Sequence, residues 1–138
     1  INGDLPELLN ILRRSGANVI PVETVPDIEQ RRQRIREALV LLGDAYTRRG
    51  EFAKGLELDL RLSRIKPENK LIRYNLACSY ALTGQKDQAL TSLDKAVELG
   101  YRDIEHLRQD HDLDPIKSDP RFQTIIKRLS SEEHQPQE

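Results

Sequence analysis

The chain contains no methionine and no tryptophan, and only 4% of its residues are aromatic. Any core must therefore be built from Leu, Ile, Val and Ala. Its single cysteine, Cys78, excludes an internal disulfide framework and says nothing about redox compartment. No apolar run approaches the ~20 residues that a membrane-spanning helix needs. No signal peptide is visible. An excess of charge of either sign is also lacking: 22 Lys and Arg stand against 23 Asp and Glu, for a net charge of −1. That balance argues against an electrostatic nucleic-acid binder, which carries a basic excess. The one basic cluster, Arg31-Arg32-Gln33-Arg34 with Arg36, is flanked by Glu29 and Glu37 and reads as a solvated helix face. With no methionine at all and Ile1 in first place, the sequence reads as a piece of a longer precursor.

What is present is helical periodicity in a chain of 138 residues, the size of one domain with tails. Leu5, Leu8, Leu9, Ile11 and Leu12 share one face of a short helix that Asp4 can cap and Gly16 can end. Pro21 and Pro26, with three valines nearby, make the next stretch extended. Asp27 caps a helix expected to run to about Arg49, with Ile28, Ile35, Leu39, Leu42 and Tyr46 on its apolar stripe. Further helices are expected over about Glu51 to Ile65, Lys70 to Leu82 and Lys86 to Leu99, with Gly50, Gly84 and Gly100 as left-handed stops. Asp103 can cap a short helix from Ile104 to about Gln109, and Asp110 to Pro115 reads as a turn-rich stretch. Asp119-Pro120 starts a last helix whose apolar face is Phe122, Ile125, Ile126 and Leu129. From Ser130 the chain is polar and expected to fray.

Two stretches echo each other at 34 residues: Leu42-Gly43-Asp44-Ala45-Tyr46 and Leu76-Ala77-Cys78-Ser79-Tyr80, with Gly50 over Gly84 and Gly55 over Ala89. Small residues recur at Gly43/Ala77 and Gly55/Ala89, where the two helices of a hairpin must approach closely. These residues resemble the tetratricopeptide repeat family, with Arg36 opening one repeat and Lys70 the next. The resemblance covers residues 36–101 and departs at Asp59 and Arg73, where the pattern has aromatics, and at Tyr101 in place of a closing proline. It implies an all-α fold of helix-turn-helix hairpins, a short α-solenoid. Residues 1–35 then hold an N-terminal helix, a proline-broken linker and the start of the long first helix. Residues 102–130 resemble a degenerate capping unit that follows the last repeat in bacterial members, and 131–138 form a disordered tail.

The resemblance also implies a concave groove lined by the first helix of each repeat. Its residues here are Glu37, Val40, Asp44, Thr47 and Arg48, then Leu71, Tyr74, Asn75, Cys78 and Leu82. Members that bind chaperone tails carry a carboxylate clamp. Asn75 matches one clamp position, while Val40 and Asp44 stand at two others. Asp44 would repel a carboxylate, which argues against such a tail. Tyr74, Tyr80 and Cys78 read first as packing residues.

Catalytic signals are absent: no G-x-S-x-G, no glycine-rich phosphate loop, no nucleophile beside a base. His106, Asp110, His111, Asp112 and Asp114 cluster, but the Gly and distal Glu of a calcium loop are missing, and no second cysteine supports zinc. The expectation is a non-enzymatic scaffold without cofactor or metal. It binds a protein or peptide partner or self-associates, with no nucleic acid and no membrane span. The alternative is an accessory domain of a larger enzyme, because residues 9–18 (LNILRRSGAN) are similar to the closing helix of sulfatase-type catalytic domains.

Overall fold

A computed structural model describes residues 27–133, together with residues 7, 10–11 and 14–16. Residues 7, 10–11 and 14 are helical, while most of the expected first helix, the proline-broken linker and residues 134–138 lie outside the described residues.

Asp27 caps the first helix of the stack: its Oδ1 accepts from the Glu29 amide at 2.8 Å. Helix α1 (Ile28–Arg48) is 21 residues long. The side chain of Asn69 caps α3 (Lys70–Leu82), accepting from Leu71 and Ile72 at 3.0 Å each. Between them runs α2 (Phe52–Ile65), and α4 (Lys86–Glu98) follows α3. The hairpins α1–α2 and α3–α4 turn in the same way. Gly50 and Gly84 sit at φ +78° and +80°, a conformation that costs glycine little. The next amides, of Glu51 and Gln85, donate back to Tyr46 and Tyr80 at 2.9 Å. The turn therefore ties up carbonyls that the helix end leaves open.

Close helix packing explains the small residues. A Cβ on Gly55 would stand 3.0 Å from the Thr47 hydroxyl and 3.5 Å from the Gly43 carbonyl. The same atom on Gly43 would come within 3.3 Å of Asp59. The first hairpin closes over Leu39, Leu42, Leu58 and Leu62, and Ile72 of α3 joins that cluster to link the hairpins. Ile11 packs on its edge.

The second, larger core is finished by the C-terminal third of the chain. Helix α5 (Ile104–Gln109) is capped by Asp103, a 3-10 turn spans His111–Leu113, and α6 (Asp114–Lys117) is one short helix. Helix α7 (Pro120–Glu133) continues past Ser130, where the polar sequence suggested fraying. Leu107, Leu113, Ile116, Phe122 and Leu129 bury themselves against Leu93 and Val97 of α4. Two exposed ion pairs, Arg121 to Asp87 at 2.7 Å and Arg128 to Asp94 at 2.9 Å, tie α7 to α4 at a separation of 34 residues. The fold is all-α, built from packed helical hairpins. Among the described residues no helix is long and apolar enough to cross a membrane.

Candidate partner-binding groove

The expected groove lies on α1 and α3, and its two halves differ. On α1 the carboxylate of Glu37 is exposed and accepts from Gln33 Nε2 at 3.0 Å. Val40 is half-buried against the first core. Asp44 and Arg48 are exposed. Thr47 belongs to the hairpin instead: its hydroxyl donates to the Gly43 carbonyl at 3.1 Å and faces Gly55 of α2.

On α3 the chain covers its own groove. The Asp110–Leu113 segment folds back across α3. Tyr74 is 4% exposed and Cys78 7%. The Tyr74 hydroxyl donates to Asp110 Oδ2 at 2.5 Å, and Cys78 Sγ lies 3.7 Å from the same oxygen. The Tyr74 ring stacks on Tyr101, centroids 4.5 Å apart and planes 6° from parallel, with His106 tilted against it at 5.4 Å. Both residues stand at groove positions that the resemblance implies but read first as packing residues, and both pack against the chain's own cap. Leu71, 57% exposed, and half-buried Asn75 and Leu82 remain at the rim. Leu71 and Asn75 line an open hollow of about 530 Å³ with Lys70, Arg102 and His106.

Burial and like charge set the chemistry of this region. Burial pushes the Cys78 thiol well above its usual range, reinforced by the Asp110 and Asp112 carboxylates. The Tyr74 phenol is raised by burial, then by Cys78 and Asp110. Tyr101 is pushed up to about 12, mainly by burial and then by Asp103. Asp112 is raised by burial and by the charges of Asp110 and Asp44, so its carboxylate feels α1 across the groove. Asp44 is raised by burial, with Arg48 acting in the opposite sense. The open half of the groove thus sets three carboxylates, Glu37, Asp44 and Asp112, against one arginine, Arg48, and is negative on balance.

Among the described residues, Cys78, Asp110 and Asp112 bring three potential ligand atoms within 4.8 Å of one another. Their chemistry fits a cation poorly. The thiol is held protonated, and the Asp110 oxygen is already shared by Tyr74 and Cys78.

Asp110, Asp112, Tyr101 and His106 complete this site, yet sequence shows only that aspartates of this segment can cap its helices. The caps are real: Asp103 accepts from the His106 amide and Asp110 from the Asp112 amide, each at 3.0 Å. What local sequence does not carry is the contact from Asp110 to Tyr74, 36 residues away.

No family model matches the chain. It is similar to a chloroplastic protein of Arabidopsis thaliana. The identity is 28% over 103 residues, which is 72% of this chain and 29% of that protein. The chain thus spans less than a third of the length of this relative.

Proposed function

We propose that the chain is a non-catalytic protein-interaction module of tetratricopeptide type, binding a peptide, helix or subunit along the first helices of its hairpins. The observation that carries this reading is the pair of matched hairpins. Gly50 and Gly84 share one backbone conformation, and the bonds closing at Tyr46 and Tyr80 are both 2.9 Å long. Repeats of this kind stack into elongated surfaces suited to holding partners. The usable strip on this chain is short. It consists of Glu37, Val40 and Asp44 on α1, with Leu71 and Asn75 at the rim of α3. Its negative character favours a partner segment that presents lysine or arginine beside an apolar side chain.

The experiment is a chemical-shift titration of the 15N-labelled chain with a lysine-bearing amphipathic peptide and a glutamate-bearing control. The reading predicts salt-sensitive shifts centred on residues 37–44 and 71–75 with the basic peptide only. It also predicts that Asp44→Lys weakens that binding about tenfold. Equal shifts from both peptides, or shifts confined to other surfaces, would remove the groove from consideration.

A further inference from the structure

The charge of the groove reverses from one first helix to the next. A shift of 34 residues carries Glu37 of α1 onto Leu71 of α3, so the two stand at matching places on the two hairpins. Glu37 is one of the carboxylates of the α1 strip. Beside Leu71 in the chain stands a cation, Lys70, exposed and without a hydrogen bond or ion pair among the described residues.

Lys70 and Leu71 line the open hollow whose other walls are the turn at residues 100–103 and α5. The stacked rings of Tyr74 and Tyr101 are its buried floor, and Leu71 is its apolar lip. Most charged groups of the lining are already engaged. Arg102 donates to the Val97 and Tyr101 carbonyls at 2.6 and 2.9 Å and pairs with Glu132 of α7 at 3.0 Å. Asp103 caps α5, and His106 Nε2 lies 3.4 Å from Asp110 Oδ2. Two polar groups are left over. One is the Lys70 ammonium, whose stem passes over Gly100: a Cβ there would stand 3.9 Å from Lys70 Cδ. The other is the side-chain amide of Asn75, half-buried and with no hydrogen bond among the described residues. A free cation and a free amide beside an exposed leucine suit a carboxylate carried next to an apolar side chain.

We propose that this hollow takes an acidic side chain of the partner segment, so that an extended segment is read as a sequence of charges. Lysine or arginine lies over Glu37 and Asp44, an apolar side chain on Leu71, and glutamate or aspartate at Lys70 and Asn75. The inference rests on the groove reading, because Leu71 and Asn75 belong to both. One helix spacing of ~10 Å separates the two charged ends, which extended chain spans in about three residues. A segment with carboxylates alone is repelled by the α1 strip, and one with lysines alone sets a like charge against Lys70.

The probes are three dye-labelled peptides carrying a lysine, a leucine and, three residues from the lysine, glutamate, glutamine or a second lysine. Each is made in forward and reversed order. Fluorescence anisotropy gives the affinities, and amide shifts of the 15N-labelled chain give the contact surface. In one order the glutamate form should bind about fivefold tighter than the glutamine form and at least tenfold tighter than the second-lysine form. The preference should shrink with salt, and the glutamate form alone should shift residues 70, 75 and 101–106. Lys70→Glu should invert the preference towards the second lysine. Lys70 is exposed and glutamate suits a first helical turn, so the variant keeps its circular dichroism spectrum and melting temperature. Equal binding of the glutamate and glutamine forms in both orders overturns the inference and leaves the groove standing. Failure of all three peptides to shift residues 37–44 removes the groove, and this inference with it. A sedimentation dimer that Lys70→Glu dissolves also overturns it, because the occupant is then a second copy. So does binding confined to a chain that ends at Glu133, because residues 134–138 are then the occupant.

Discussion

The Ser79 hydroxyl donates to Asp59 Oδ2 at 2.5 Å, inside the interface between the two hairpins. Both residues are buried, at 3% and 7% exposure, and the Asp59 carboxylate also lies against Gly43 of α1. A carboxylate thus stands at a junction of three helices. Burial raises it to about 6, against the pull of the Ser79 hydrogen bond and with help from Asp44.

A proton is therefore bound more tightly in the folded chain than in the unfolded one, where an aspartate titrates near 4. The stability this contributes is complete below about pH 4 and lost as pH rises through about 6. Asp59→Asn keeps an oxygen that can accept from Ser79 but carries no charge. It is expected to be more stable than the wild type at pH 8 by about 1–3 kcal/mol, with the advantage shrinking to near zero by pH 4. Urea unfolding of both proteins across that range reads the difference directly. Parallel profiles would mean that Asp59 does not titrate in this window.

Gly55 tests the helix contact inside the first hairpin. Alanine there gains about 1 kcal/mol of helix propensity. Its methyl group meets the Thr47 hydroxyl at 3.0 Å, and that side chain is held by its bond to Gly43. Overpacking of this kind costs about 1–3 kcal/mol, so Gly55→Ala is expected to destabilise overall. The double variant Gly55→Ala/Thr47→Ala should recover part of the loss, and a melting curve decides it. A stabilised single variant would show that the helices have room to separate.

Phe122 tests whether the C-terminal third completes the core. It is 3% exposed and sits in the cluster that includes Leu93 and Val97 of α4. Phe122→Ala should cost about 3–5 kcal/mol, a large share of a small domain's total stability. Loss of cooperative unfolding in the variant, measured by thermal circular dichroism, is the expected outcome. A shift of only a few degrees would mean that the cap is an ornament on a self-sufficient pair of hairpins.

The helices are legible in the sequence because their signals are local. Asp27 and Asp103 cap the helices that follow them, and α3 spans the expected Lys70–Leu82. Gly50 and Gly84 end their helices for a reason contained in one residue, the left-handed backbone. The groove is less legible. Helical spacing sets Tyr74 and Cys78 on one side of α3, but it does not say that residues 110–113 return to cover them. Asp59 stood out only as a departure from the aromatic pattern, and its partner Ser79 is 20 residues away. Such contacts are set by the packing of the C-terminal core, through Leu107, Leu113 and Ile116, and no short window of sequence contains them.

Cys78 gives the most direct test of the account, because it is the only thiol in the chain and lies under the segment that closes the α3 half of the groove. The measurement is its reaction with an aromatic disulfide reagent at pH 8, native and in urea. A buried thiol pushed well above its usual range should react only through opening of the fold, at least about a thousandfold more slowly than in urea. Reaction of the native protein at the rate of a free thiol would contradict the account, leaving α3 open and its whole groove available to a partner.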